Sequence, residues 1–129
     1  MSYTIQAGSR VHTLAPTGST GLLNPGAAVT IDPDADRLGV TLTVEAIGAT
    51  PSITWKLQVS LDELNWSDAR YMTDAAETVV NAAIVRTTVG FDTMHVLLDD
   101  RGWRFIRLVV SANVNVTFKA EAFPLDRDA

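Results

Sequence analysis

Three stretches of this chain place an apolar side chain at every second position, with polar neighbours between. They are Leu38, Val40, Leu42, Val44 and Ala46; Ile53, Trp55, Leu57 and Val59; and Val114, Val116, Phe118, Ala120 and Ala122. Only an extended chain has that period, because successive side chains leave a strand on opposite faces, whereas a helix repeats about every 3.6 residues. Each stretch is a strand with one dry face and one wet face. A fourth, Arg104-Phe-Ile-Arg-Leu-Val-Val110, is apolar almost throughout, as expected of a central strand covered on both sides. Turn-forming residues separate these runs. Gly48-Ala-Thr-Pro-Ser52 predicts a hairpin joining the first two, and Ser111-Ala-Asn113 a hairpin joining the last two. The two hairpins are expected to form the halves of one antiparallel sheet.

The remaining segments fit the same class. Residues 28–31 read as a short strand, and Asp32-Pro-Asp-Ala-Asp36 as a turn built on carboxylates that bond their own backbone. Further strands are expected at 69–72, 84–91 and 94–98, with turns at 61–65 and 99–102. Asp74 followed by Glu77 has the form of a helix start, so one short helix is expected within 73–83, weakened by Val79 and Val80. Six to eight short strands with Gly and Pro turns predict an all-β antiparallel β-sandwich, with a small β-barrel as the alternative.

A chain of 129 residues is one domain by size. Residues 1–26 are poor in apolar side chains and rich in Gly, Ser, Thr and Pro, which predicts an extended N-terminal arm. The sandwich then occupies 27–123 and a short tail 124–129. On that division, deleting residues 1–24 leaves the sandwich folded, because its core begins near Ala28.

A search for chemistry returns no catalytic, cofactor or metal constellation. There is no cysteine, and the two histidines, His12 and His95, lie far apart and read as surface or half-buried residues. No Gly-x-Ser-x-Gly elbow accompanies the serines. The run from Asp32 begins like a calcium loop, but Arg37 and Thr43 stand where that loop needs Gly and Glu. The acid pairs Asp62-Glu63, Asp99-Asp100 and Asp126/Asp128 fall in solvated turns or the tail, where carboxylates are not tuned for glycoside cleavage. Gly18-Ser-Thr-Gly21 lacks the lysine of a phosphate loop. The chain is thus expected not to be an enzyme. Its net charge of −5, with only Lys56 and Lys119 as lysines, argues against nucleic acid. Arg101, Arg104 and Arg107 are expected to pair with acids such as Asp99 and Asp100. No stretch is long and apolar enough to cross a bilayer, and no export leader is seen, so synthesis in a cytoplasm is expected. Trp55 fits the core face of its strand. Trp66 and Trp103 are expected at the sandwich ends, packing its rim or meeting a ligand or subunit.

Two elements together resemble a known group. The run from Leu42 through Gly48-Ala-Thr-Pro-Ser-Ile-Thr-Trp-Lys-Leu-Gln-Val-Ser60 to Trp66, and then Arg104-Phe-Ile-Arg107, look like a pattern frequent in small β-sandwich structural proteins of tailed bacteriophages. The Asp-Gly usual before the tryptophan is Asp62-Glu-Leu-Asn65 here. The resemblance covers roughly half the chain. It implies a virion structural protein at the capsid surface, of the head-decoration or minor-capsid type, whose partner is the major capsid protein and which forms a homo-oligomer, a trimer being the usual form. A tail-associated carbohydrate- or receptor-binding module is the alternative. No catalytic residue comes with the pattern. In the arm, Ile5, Val11, Leu14, Leu22 and Leu23 are the expected partner-binding anchors, since a polar arm binds by strand pairing and a few apolar contacts.

Overall fold

The computed structural model describes residues 3–5, 11–31, 37–73, 79–80, 83–97 and 103–127. These form ten strands: β1 (Tyr3–Ile5), β2 (His12–Ser19), β3 (Val29–Thr30), β4 (Arg37–Ser60), β5 (Trp66–Asp68), β6 (Tyr71–Thr73), β7 (Val79–Val80), β8 (Ile84–Arg86), β9 (Gly90–Leu97) and β10 (Phe105–Arg127). Every pairing is antiparallel, and no helix occurs among the described residues. The fold is all-β and sandwich-like. The strand path β1-β10-β4-β9-β6-β7 is open at both ends, not closed as a barrel.

The four patterned runs are strands as expected, but their partners are not. The two local hairpins do not form. Residues 37–60 run as one strand, and residues 105–127 as another, and these two pair along their whole length, from Ser60 with Phe105 to Arg37 with Leu125. The Gly-Ala-Thr-Pro segment is a bulge in the middle of this ribbon. Residues 47–52 of β4 lie opposite only 114–116 of β10. Thr50 and Asn115 take positive φ, and the Asn115 amide donates to the Ala49 carbonyl at 2.7 Å. An odd insertion of this kind moves every following side chain to the other face. Buried apolar positions on β4 are accordingly even up to Val44 and odd from Ile53 onward. Ala46 and Val114, expected inside, lie at the bulge and are exposed.

Each half of the ribbon recruits its own flanking strands. β9 and β6 extend the 37–44 half; β5 and β8 border the 52–60 half. Inward side chains of both halves share one core, which includes Val44, Trp55, Leu57, Leu108 and Phe118. Trp55 is 0% exposed. Val109 is buried beside Leu108 and Val110, so the near-continuous apolar run is covered on both faces as its composition requires. Between β8 and β9, Arg86 bonds the Thr88 and Val89 carbonyls and pairs with Asp92 at 2.9 Å. Gly90, at φ +139°, leaves room for that guanidinium, with which an added Cβ would collide.

The arm and the tail require correction. β2 pairs with β10, with Leu14 7% exposed and Ala15 1%. Leu23 exchanges two backbone hydrogen bonds with Val110, at 3.2 and 2.7 Å, and Gly26 N–H donates to the Leu108 carbonyl at 2.8 Å. A Cβ on Gly26 would sit 2.9 Å from that oxygen, so the close crossing needs glycine. Glu45 ties β2 down further, accepting from the Thr17 hydroxyl at 2.6 Å and the Gly18 N–H at 3.0 Å. Those bonds hold its carboxyl below the usual range. The core therefore starts at Leu14, not near Ala28. Few apolar residues suffice where β10 already offers an edge and a groove to fill. Pro124 and Leu125 are likewise part of β10, not of a tail; β1 lies against residues 125–127. The turns expected at 32–36 and 99–102, and the helix start at 74–78, lie outside the described residues; Val79 and Val80 form strand β7 rather than helix.

Candidate functional site

The outward face of the 52–60 half carries the most organised polar surface of the described chain. Opposed residues in antiparallel strands share a face. One cross-strand row holds Trp66, Ser60 and Phe105, and the next holds Asp68, Gln58 and Arg107. The two rows are about 7 Å apart along the strands. Their side chains form a connected ladder. Lys56 Nζ meets Asp68 Oδ1 at 3.0 Å, and Gln58 Nε2 donates to the same oxygen at 3.2 Å. The Gln58 carbonyl oxygen accepts from Arg107 Nε and Nη2 at 2.9 and 2.7 Å. The Arg107 guanidinium then lies over the Trp66 ring, 4.1 Å from its centroid. Hydrogen bonds from Gln58 and Lys56 hold the Asp68 carboxyl below its ordinary range.

The turn that closes β4 onto β5 borders this ladder. Ser60 Oγ accepts from the Asp62 and Glu63 N–H groups, at 3.2 and 2.9 Å. Asp62 Oδ1 accepts from the Leu64 and Asn65 N–H groups, at 2.9 and 2.8 Å, and Oδ2 from the Asn65 amide at 2.7 Å. Glu63 adopts φ +66°. The backbone bonds from Asn65 and Leu64, then the Asn65 amide, depress the Asp62 pKa strongly. Pinned this way, the turn holds Leu61 and Leu64 out to solvent, 53% and 82% exposed.

A folded-state pKa below the unfolded one means the carboxylate stabilises the fold above the unfolded value, and that this is lost as pH falls toward the folded one. Asp62→Asn is therefore expected to melt below wild type at neutral pH, with the gap shrinking as pH drops under about 4. Thermal melts across that range check it. A gap that does not change with pH would mean the turn does not depend on the carboxylate charge.

Of the expected arm anchors, Leu14 is in the core and Leu23 is half-buried against Val110, while Val11 and Leu22 are exposed. Ile5 lies in β1 opposite Leu125. These residues are distributed along the sheet and are not gathered into a site. Among the described residues the partners of Arg107 are Gln58 and Trp66 and not an acid; the acids expected for it, Asp99 and Asp100, lie outside the described residues, as does Arg101. Trp103 is half-buried against the core. His12 and His95 are both half-buried, on separate strands. At the bulge, an open groove of about 510 Å³ is lined by Ile47, Gly48, Asn113, Asn115 and Thr117 among others. Its amides are spent within the chain: Asn113 bonds the Gly21 and Val116 carbonyls and the Val116 N–H. Among the described residues, no group of three His, Cys, Asp or Glu is placed to hold a metal.

No family model and no curated protein matches the sequence. In structure the chain is similar to the SPBc2 prophage-derived protein YomS, whose crystal structure it matches with a TM-score of 0.68. The two share a fold. The match covers 91% of this chain and 92% of that one, at 7% identity. It therefore takes in both halves of the ribbon.

Proposed function

We propose that this protein is a virion structural protein of a tailed phage, and that it decorates or cements the head by binding the lattice of the major capsid protein. The observation that carries the reading is the end-to-end likeness of fold to a prophage-derived protein. The phage-like pattern in the sequence adds support. Its two elements, Lys56-Leu-Gln58 with Trp66 and Arg104-Phe-Ile-Arg107, meet as neighbouring strands in one ladder. The role is one of binding and building rather than catalysis, exercised at the capsid surface, with the chain self-assembling as a trimer. A tail-associated glycan- or receptor-binding module is the second reading, favoured by the tryptophan and arginine on an open sheet face.

Quantitative mass spectrometry of purified particles separates the two. Copies in the hundreds are expected for a protein that follows the head lattice, whereas a handful would move it to the tail. Absence from particles would overturn both readings.

A further inference from the structure

We infer that the Leu61–Leu64 turn and the Arg107 ladder form one docking surface, and that its occupant is a segment of the capsid partner presenting a carboxylate beside an apolar socket. The inference rests on the head-binding reading and names the contact surface within it.

Three observations fix the partner's chemistry. The first is charge. The chain is acidic, with net charge −5, yet Arg107 has no carboxylate on it among the described residues. The nearest acid on the ladder, Asp68, is taken by Lys56 and Gln58. A half-buried guanidinium without a counter-ion is complementary to an anion, and charge-assisted bonds to carboxylates are the strong ones. The second is geometry. Both bonds to Gln58 use Nε and Nη2, and Nη1 makes no bond among the described residues. Stacking on Trp66 fixes the plane of the fork before any partner arrives. The third is the turn. Leu64 at 82% exposure is the most exposed large apolar side chain of the described residues, and it sits on backbone clamped by Ser60 and Asp62. An apolar side chain held rigidly in water costs little further ordering when it enters a socket. Tryptophan and arginine flanking such a knob are the residue types that dominate binding energy at protein interfaces.

The test uses full-length protein and particles assembled without it. Wild type is expected to bind. Leu64→Ser, an exposed position that leaves the fold untouched, is expected to weaken binding about tenfold or more, and Arg107→Gln by a similar factor. Raising salt from about 50 to about 500 mM is expected to weaken wild type more than Arg107→Gln, because only wild type keeps the ion pair. Arg107→Lys is expected to recover part of the affinity at low salt. If Arg107→Gln also lowers the melting temperature, Leu64→Ser decides. Wild-type affinity in Leu64→Ser overturns this surface while leaving the head-binding reading intact. Failure of wild type itself to bind overturns that reading, and the docking surface falls with it.

Discussion

Aspartate in place of Val44 is expected to leave no stable folded protein. Val44 is 1% exposed and opposes Phe118 on β10, itself fully buried. A carboxylate there is taken out of water opposite an aromatic ring, and a buried charge left uncompensated costs about 3–5 kcal/mol, on top of the lost packing. That approaches the whole stability of a domain, about 5–15 kcal/mol. Thr43→Asp, one residue away, should stay within about 1 kcal/mol of wild type. Thr43 turns to the other face, where its cross-strand partner is Lys119, which can meet the new charge. Circular dichroism melts of the two variants check the register directly. Equal melting temperatures would mean that the 37–44 half does not face inward on its even positions.

Removal of residues 1–24 is expected to abolish cooperative folding. The segment looks dispensable by composition, but the structure gives it three jobs. β2 covers the edge of β10, Leu14 and Ala15 fill the core, and Leu23 closes two backbone bonds on Val110. Without it, β10 presents a long unpaired edge, the usual template for aggregation. Leu14→Ala alone should cost about 2–4 kcal/mol. Expression followed by calorimetry compares the truncated chain with wild type. A truncated form that melts cooperatively within a few degrees of wild type would show that β2 is only laid on the sheet.

Much of the fold was legible in the residues, because burial follows alternation. Val40, Leu42, Ile53, Trp55, Leu57, Val59, Phe118 and Ala120 face inward as their spacing predicts. What could not be read was which strand pairs with which. Gly48, Thr50 and Pro51 are the residues of a reversing turn, and equally those of a bulge, which also needs positive φ and forgoes a ladder bond. Only contacts with β10, far along the chain, decide between the two. The arm hides its core strand from composition for a related reason. Leu14 and Ala15 are too few to signal a core strand, but the environment that buries them is supplied by residues 118–122. The ladder was half visible. Gln58, Trp66 and Arg107 all belong to the phage-like pattern, yet their meeting depends on pairing across 49 positions. Charge counting points Arg107 toward acids such as Asp99 and Asp100, which lie outside the described residues; among the described residues it meets Gln58 and the face of Trp66. The exposed Leu64 carried no periodic signal, since turn residues obey none.

The continuous ribbon also sets how this molecule must come and go as a whole. Neither half owns a complete set of strands, for β4 and β10 are shared from end to end. One half cannot melt and leave the other standing, so the described sheet should behave as a single cooperative unit rather than as two foldons. Assembly carries the converse burden. No hairpin nucleates the ribbon locally; its first rung must join residues dozens of positions apart, and that search is slow for topologies dominated by distant pairings. A sheet built this way would be sluggish to form and, once formed, reluctant to yield piecemeal to a protease or to mechanical tension.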